Sequence, residues 1–266
     1  MHLITFDPFR TLGLPGVRYI KPELMHQHLD ILREADWLLF PGYWQLNTLH
    51  YALKKKIFPS PVSYHLGHDK VEMTRAFQAA CPMHVPRTEI LASTMDNVRD
   101  VLRRWPLPFV AKQIRASEGL GVFLIETAEQ FERYAADNAV LYVQEKLPIE
   151  RDLRIVVVGQ ELVAAYWREG TDFHNNVARG GQVRLDLPIP AAATNFVVTL
   201  AAYLDIDHAG FDVAIVNGQP MLLEFNRLFG HQGMPGLQQR VNDAIRRYLC
   251  GEPTPDSGAP TASRTA

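Results

Sequence analysis

Residues 211–226 read FDVAIVNGQPMLLEFN, two apolar segments that carry the oxygen-bearing side chains Asp212, Glu224 and Asn226. The Asn217-Gly218 pair between the segments is a strong signal for a β-hairpin. Side chains alternate between the two faces of a strand, so Glu224 and Asn226 point to the same face. Carboxylate and amide oxygens suit magnesium rather than zinc or copper. The stretch therefore predicts two paired strands with a magnesium site on one face.

The register of this hairpin decides whether Asp212 joins the other two side chains. A strict two-residue loop would set Asp212 opposite Leu223, on the wrong face. A loop that pairs Val216 with Pro220 would set Asp212 opposite Glu224, so we expect a three-residue loop or a bulge. An acid near a hairpin turn can instead be solvated or cap the turn. Against this alternative, an unpaired carboxylate inside the apolar LLEF would be costly to bury, and a cation would offset that cost.

Composition and charge bound the class of protein. The chain has 266 residues, 47% of them hydrophobic and 21% charged, as in a typical globular protein with a large core. Its net charge of −2 argues against a general nucleic-acid or membrane-surface binder, so we expect neither partner. Cys81 and Cys250 lie far apart without a CxxC motif, which excludes a disulfide framework and a cysteine zinc site. With no apolar run of about 18 residues and no charged leader, we expect a cytoplasmic protein.

Local patterns divide the chain into three regions. Residues 1–66 alternate between strand-like and helix-like segments, which predicts a small α/β unit with a parallel sheet that packs on the rest. Its helices are expected in PELMHQHLDILREA and NTLHYALKKK, with the lysines of residues 54–56 at a solvated helix end. Residues 67–250 mix helices and strands, and the strands on either side of a Gly159-Gln160 turn should pair antiparallel. Residues 251–266 are small, polar and proline-containing, which predicts a disordered tail.

Two lysines and a glycine-containing loop could contact phosphate groups. Lys112 lies in the apolar strand FVAKQI, where it can either contact a phosphate or extend to solvent. Lys70 follows Asp69 at a helix start, where a cation opposes the helix dipole and an anionic ligand would relieve the conflict. Gly119 and Gly121 lie between two strands and can bring backbone N–H groups to phosphate oxygens, or form only a flexible hairpin loop. No GK[ST] follows, so this is not a Walker loop.

Polar residues cluster in two further stretches. In DLRI, Asp152 and Arg154 share one face of a strand, and the simplest expectation is a local ion pair between them. The stretch REGTDFHNNVARGGQ supplies Arg168, His174 and Asn176 ahead of a glycine pair. It is polar enough to be a surface loop, but its length also suits a segment that folds over a ligand.

The order of these motifs resembles that of the ATP-grasp ligases, and most closely that of the RimK-like group, which includes glutamate-adding ligases. The resemblance runs from about His68 to Arg247. Its most specific part is Asp212 followed by Glu224-x-Asn226, and DLRIVVVGQELVAAYWRE is also very similar to the family pattern.

The resemblance implies the α+β ATP-grasp fold, in which two α+β lobes clasp ATP. The nucleotide lobe would span about residues 67–147 and the metal lobe about residues 148–250. A small α/β N-terminal domain, residues 1–66, would precede them, and it is shorter than is typical of such ligases.

The resemblance also implies roles for individual residues. Lys70 and Lys112 would contact the phosphates of ATP, and a glycine-rich flap would include Ser117, Gly119 and Gly121. Asp152 would lie near the ribose, and the adenine would be contacted by Gln144, Glu145, Lys146 and Leu147. The magnesium ligands would be Asp212, Glu224 and Asn226. The residues that face the phosphate or the substrate would be Arg154, Arg168 and Asn176.

The chain departs from the family pattern at two places. The FRxN motif reads Phe173-His174-Asn175-Asn176, so a titratable His174 replaces an arginine. The ExNxSPG motif continues after Asn226 as Arg227-Leu228-Phe229-Gly230, without the Ser-Pro pair. We therefore expect an acceptor pocket that differs from that of the family.

The function implied is an ATP- and Mg²⁺-dependent carboxylate–amine ligase that forms an amide through an acyl phosphate. Its partners would be ATP, a carboxylate substrate and an amine acceptor, with amino acids, peptides and protein termini all open. Oligomeric state also stays open, a homo-oligomer included. Two alternatives are an ATP-dependent phosphotransferase on the same fold and a non-catalytic nucleotide-binding regulatory protein.

Overall fold

The computed structural model describes residues 1–115, 121–170 and 181–254, and the strands of these residues form three sheets. Several predictions concern other residues. The flap residues Ser117 and Gly119, the loop residues His174 and Asn176, and the tail after residue 254 lie outside the described part of the chain.

The first, N-terminal sheet is fully parallel, as the alternating pattern predicts. Its strands, in the order β2-β1-β3-β4, are β1 (Leu3–Thr5), β2 (Val17–Tyr19), β3 (Trp37–Leu39) and β4 (Lys56–Phe58). Helix α1 (Leu29–Glu34) connects β2 to β3. The predicted parallel α/β unit is confirmed.

Of the two predicted helices of this region, the first is confirmed and the second is shorter than expected. A 3₁₀ helix over Pro22–His28 precedes α1, and only Thr48–Ala52 forms a helical turn in the second segment, a π-helix. Lys54 then adopts a φ of 56°, and Lys56 begins β4. The prediction of a helix end at residues 54–56 is wrong, because the buried Ile57 and Phe58 pair with β3 and require an extended backbone.

The second sheet is antiparallel and follows a short helical connection. Its strands, in the order β5-β8-β6-β7, are β5 (Thr88–Ala92), β6 (Phe109–Lys112), β7 (Val122–Ile125) and β8 (Val140–Glu145). The accompanying helices are α2 (Pro61–Leu66), α3 (Lys70–Ala80), α4 (Met95–Arg104) and α5 (Ala128–Asp137). Helices α4 and α5 pack their apolar side chains against Phe109, Ala111 and Val143 of this sheet.

The third sheet is also antiparallel and lies between two helices. Its strands, in the order β11-β10-β9-β12-β13, are β9 (Arg151–Val158), β10 (Glu161–Glu169), β11 (Gln182–Arg184), β12 (His208–Val216) and β13 (Gln219–Asn226). Its helices are α6 (Ala191–Tyr203) and α7 (Leu237–Cys250). Within the described ranges, no helix is long and apolar enough to cross a membrane.

Side chains of β9 alternate between the two helices. Leu153 and Ile155 pack in the core that contains α6, whereas Val156 and Val158 pack in the core that contains α7. By the period of two, Asp152 and Arg154 belong to the α7 face. Apolar side chains of β3 and β4 join that second core, so the N-terminal sheet packs on the third sheet, as predicted.

The hairpin of β12 and β13 turns through Asn217-Gly218 with φ values of 50° and 80°, a two-residue turn with both residues left-handed. The predicted three-residue loop is therefore wrong, and the alternative, a bulge, is confirmed. The register shifts beside Asp212, which pairs with Glu224, whereas Val213 pairs with Leu222. The extra residue lies next to the polar pair and not at the turn.

Candidate functional site

The bulge brings the two acidic residues of the hairpin opposite each other. Asp212 pairs with Glu224, and Gly210 pairs with Asn226 two residues earlier on β12. Asp212 is only 6% exposed, whereas Glu224 and Asn226 are half-buried. Three oxygen-bearing side chains are thus collected at neighbouring positions of two adjacent strands.

Asp212 also contacts two buried arginines, Arg154 of the adjacent strand β9 and Arg168 of the next strand, β10. Arg154 Nε lies 2.6 Å from Asp212 Oδ1, and Arg154 Nη2 donates a hydrogen bond of 3.2 Å to Oδ2. Arg168 Nη2 lies 3.0 Å from Oδ1, while Arg168 Nε donates to Asp152 Oδ1 at 2.7 Å. Two carboxylates and two guanidiniums form one buried network, which we call the arginine–aspartate network.

This network replaces the expected local pair of Asp152 with Arg154. A bulge between Leu162 and Ala164 shifts the register of β9 and β10, so Asp152 lies opposite Arg168. Arg154 in turn lies opposite Asp212 on β12. The prediction of a local pair is wrong, because each charged residue finds its partner on an adjacent strand.

The electrostatics of the network are nearly balanced. Burial raises the pKa of Asp152, an effect that Arg168 opposes. Burial alone would lower the pKa of Arg168, but the attraction of Asp212 and Asp152 outweighs it and raises the pKa overall. Arg168 therefore stays charged, and it holds the two aspartates in place.

The donor set around Asp212 fits a hard cation. Asp212 Oδ1 is buried and, within the described residues, has no hydrogen bond of ordinary geometry, although two guanidinium nitrogens lie close to it. A carboxylate oxygen in this situation can accept a metal ion. No group of three or more His, Cys, Asp or Glu side chains placed to hold a metal occurs in residues 1–115, 121–170 and 181–254. A magnesium ion would therefore need further oxygen ligands, here the amide of Asn226 and phosphate oxygens.

Two lysines from the second sheet and its helices approach these carboxylates. Lys70 Nζ lies 3.5 Å from Glu224 Oε2. Lys112 is only 6% exposed, so the alternative of a side chain extended to solvent is wrong. Burial lowers the pKa of Lys112, and the charges of Glu224 and Asp212 only partly oppose this effect. Both lysines thus lie where the second sheet meets the third.

A buried tyrosine that the sequence does not single out supports Lys112. The Lys112 ammonium lies 5.6 Å from the centroid of the Tyr142 ring. Tyr142 Oη and Thr74 Oγ1 lie 2.7 Å apart, and burial raises the pKa of Tyr142 to about 12. The tyrosine therefore stays neutral beside the lysine. Only the alternation within β8 could have indicated this position.

The four residues expected to contact adenine lie at the end of β8. Gln144 is buried and donates a hydrogen bond to Thr88 Oγ1, and the Glu145 N–H donates to the Arg87 carbonyl. Lys146 is exposed and Leu147 is half-buried. The Glu145 amide is thus already engaged in the second sheet.

Two further residues border the site. Gly121, of the expected flap, is buried at the start of β7, and its carbonyl accepts a hydrogen bond from Gln113 N–H. Arg227 donates to the Gly67 carbonyl at 3.0 Å and lies over the Tyr64 ring. Arg227 directly follows Asn226, but the sequence pattern indicates no role for it.

A family model of the RimK-like ATP-grasp domain matches residues 68–245 of the chain. A probable alpha-L-glutamate ligase of Saccharophagus degradans is 31% identical over 247 residues, which cover 88% of this chain and 79% of that protein. Another probable alpha-L-glutamate ligase, of Enterobacter sp., is 33% identical over 158 residues, and this chain covers 52% of its length. A ribosomal protein bS6–L-glutamate ligase of Escherichia coli O139:H28 is 32% identical over 135 residues, 45% of that protein.

Solved structures share the fold. A RimK domain ATP-grasp protein of Sphaerobacter thermophilus superposes with a TM-score of 0.63 at 17% identity, over 82% of this chain and 81% of that one. A D-alanine–D-alanine ligase of Bacillus anthracis, complexed with ATP, gives a TM-score of 0.63 at 14% identity, over 88% and 85% of the two chains.

Proposed function

Because the chain belongs to the RimK-like ATP-grasp family, we propose that it is an ATP- and magnesium-dependent ligase that joins a carboxylate to an amine. ATP-grasp proteins of known activity include ligases that form amides at the expense of ATP, and the named relatives of this chain are ligases. The family uses ATP. The requirement for magnesium, the substrates and the roles of individual residues are part of our proposal.

One observation carries this proposal. Two buried lysines, Lys70 of helix α3 and Lys112 of β6, face two carboxylates of the third sheet. Lys70 Nζ lies 3.5 Å from Glu224 Oε2, and the charges of Glu224 and Asp212 partly oppose the lowering of the Lys112 pKa by burial. A nucleoside triphosphate with a bound divalent cation carries both negative charge for the lysines and positive charge for the carboxylates. Phosphate oxygens would stabilise the lysines, and the cation would stabilise the carboxylates.

The first chemical step joins two anions, and the site must neutralise them. A carboxylate oxygen of the substrate attacks the γ-phosphorus of ATP, the bond from phosphorus to the ADP oxygen breaks, and an acyl phosphate forms. Lys70 and Lys112 place positive charge beside the transferred phosphoryl group. A magnesium ion held by Asp212, Glu224 and Asn226 supplies further charge neutralisation when it is bound.

The second step forms the amide. The amine nitrogen attacks the acyl carbon, the carbon–oxygen bond to phosphate breaks, and the nitrogen releases a proton. Arg154 and Arg168 are already oriented by Asp212 and Asp152, so they can stabilise the departing phosphate without reorganising. By the family pattern, Ser117 and Gly119 would contact ATP, Asn176 would face the phosphate or the substrate, and Gln144 to Leu147 would contact the base.

The names of the relatives favour an amino acid as the source of the amine. They are ligases of L-glutamate, one of them acting on a ribosomal protein. We therefore propose L-glutamate or a similar amino acid as one substrate and a peptide or protein carboxyl terminus as the other.

The proposal is tested with purified protein, Mg²⁺-ATP, L-glutamate and a pool of peptides. We expect ADP, inorganic phosphate and a condensed product whose mass identifies the amide. A phosphorylated product without free phosphate would indicate the phosphotransferase. Nucleotide binding without ADP release would indicate the regulatory protein.

Glu224→Ala connects this activity to the site. Loss of one ligand of the phosphate-neutralising cation should lower the rate of ADP release by roughly 100-fold or more, about 3 kcal/mol of transition-state stabilisation. Glu132→Ala, on the exposed face of α5, is the matched control and should retain full activity. An active Glu224→Ala protein would contradict the assignment of this residue.

A further inference from the structure

A cavity of about 290 Å³ lies beside the arginine–aspartate network, between the N-terminal domain, the start of β12 and helix α7. Its apolar walls include Phe40 and Phe229, and its polar lining consists of Asp7, Arg10, His208, His231 and Gln238. This volume is at the small end of ligand pockets, and it suits an amino acid better than a peptide. No role assigned so far uses it.

Arg10 brings an incompletely compensated positive charge to the cavity. Its Nη1 donates to the Phe229 carbonyl at 3.3 Å, and its Nε lies 3.7 Å from Asp7 Oδ2. The other oxygen of Asp7 accepts the backbone N–H groups of Phe9 and Arg10. Burial lowers the pKa of Arg10 and the attraction of Asp7 only partly opposes this effect. A carboxylate in the cavity would compensate the guanidinium with paired hydrogen bonds.

His208 supplies a hydrogen-bond acceptor to the same cavity. Its Nδ1 lies 2.6 Å from the Arg227 carbonyl, and a carbonyl only accepts, so Nδ1 carries the proton. Burial lowers the pKa of His208 to about 3, so the ring is neutral and Nε2 has a lone pair. A cation and a neutral acceptor in one small cavity match the carboxylate and the amino group of an amino acid.

Gly210 connects the cavity with the proposed reaction site. A Cβ at this position would come within 2.7 Å of Arg154 Nη1 and 3.0 Å of Phe229 Cβ. The cavity wall at Phe229 and the guanidinium of Arg154 are therefore separated only by a glycine. Gly210 also pairs with Asn226, a proposed metal ligand. An amino acid in the cavity would lie next to the acyl phosphate.

We propose that this cavity binds the amino acid that supplies the amine, with Arg10 holding a carboxylate that is not activated and His208 Nε2 accepting an N–H of its amino group. Arg10 is then a specificity-determining residue, and the lost Ser-Pro of the loop after Asn226 is replaced by the Phe229 wall. The inference rests on the proposed ligase function and adds the site and chemical class of one substrate.

The test compares the steady-state kinetics of Arg10→Met with those of the wild-type protein. Loss of a hydrogen-bonded charge should raise KM for L-glutamate by roughly 10- to 100-fold, with KM for ATP unchanged. Arg10→Lys should recover part of the loss. Arg33→Met is the matched control, because Arg33 is an exposed arginine of the same domain that pairs with Asp30; its constants should equal those of the wild type.

Substrate analogues test the carboxylate contact independently of folding. L-glutamine lacks the side-chain carboxylate of L-glutamate, and γ-aminobutyrate lacks the α-carboxylate. The wild-type protein should discriminate strongly against one of them, and Arg10→Met should lose that discrimination. If both preferences persist in Arg10→Met, or if its KM for L-glutamate equals that of the wild type, the cavity assignment fails while the ligase function stands. If the wild-type protein makes no amide with any substrate pair, both fail.

Discussion

Lys112 in the second sheet and Arg168 in the third are both buried cations, but their surroundings differ. Arg168 contacts the carboxylates of Asp152 and Asp212 at 2.7 and 3.0 Å, and its pKa is raised. Lys112 lies beside a tyrosine ring with carboxylates only at longer range, and burial lowers its pKa. The protein thus compensates one buried charge internally and leaves the other to be compensated by a ligand.

This difference indicates two roles in the site, the positioning of side chains and the binding of an anionic ligand. A buried ion network in good geometry fixes the positions of its members, although its net contribution to stability is small. A buried cation that carboxylates compensate only in part lowers the stability of the fold, and it attracts an anionic ligand. The third sheet therefore provides a fixed frame for the metal and the phosphate, and the second sheet provides the charge that ATP neutralises.

The largest expected effect is the loss of stability when Arg168, the compensated cation, is removed. Arg168→Met would leave Asp152 and Asp212 buried with half of their positive partners removed, so the free energy of unfolding should fall by about 3 to 5 kcal/mol. Urea denaturation measures this change. Arg184→Met, which removes an exposed arginine paired with Glu169 and Asp186 in the same sheet, should leave stability nearly unchanged. Equal effects of the two substitutions would contradict the structural role of the network.

Lys112→Met should have the opposite profile. Removal of an uncompensated buried charge should leave the thermal unfolding temperature unchanged or raise it, because methionine needs no solvation. ADP release should fall by roughly 100-fold, about 3 kcal/mol, because the phosphoryl group loses a cation. Lys21→Met, an exposed lysine of the N-terminal domain, serves as the control for both measurements. If Lys112→Met has a lower unfolding temperature but a normal rate of ADP release, the proposed difference between Lys112 and Arg168 is wrong.

Asp207 extends the comparison to a buried carboxylate with neutral partners. Burial raises its pKa to about 6, although Ser60 N–H and Ser63 Oγ donate hydrogen bonds to it. In the unfolded chain this group titrates near pH 4, so the cost of burying its charge is absent below that pH and fully present above about pH 6. Its contribution to the free energy of unfolding should therefore fall by about 3 kcal/mol across that window.

Asp207→Asn should remove this part of the pH dependence. The amide keeps an oxygen acceptor for Ser60 and Ser63 but does not ionise. The measurement is urea denaturation at a series of pH values between 4 and 7, with the fully exposed Asp30→Asn as the control. An unchanged slope of stability against pH in Asp207→Asn would show that this carboxyl is not the titrating group.

The sequence identifies the elements of the site better than their pairing. The hairpin turn at Asn217-Gly218 and the need to bring Asp212 opposite Glu224 together required an irregular register, and a bulge is present. The two-residue turn leaves no room for an extra residue in the loop, so the bulge has to lie between the turn and Asp212. Alternation and turn chemistry are local, and therefore they can be predicted.

The arginine–aspartate network could not be predicted in this way. Pairing that continued regularly from Val158 and Glu161 would set Asp152 opposite Trp167, and only the bulge at Val163 brings Arg168 into register. A bulge has no strong sequence signal in an apolar strand, so the sequence predicts the local pair of Asp152 with Arg154 instead. The short strand β4 is not predictable from local sequence for a related reason, because its burial depends on contacts with β3, which is distant in sequence.

The most direct test of the central claim is a crystal structure of the protein with magnesium and a non-hydrolysable ATP analogue. We predict phosphate oxygens within hydrogen-bond distance of the Lys70 and Lys112 ammonium groups. The same structure should have a metal ion coordinated by Asp212, Glu224 and Asn226. A nucleotide bound elsewhere, or a saturated complex in which those three side chains hold no metal, would contradict the account.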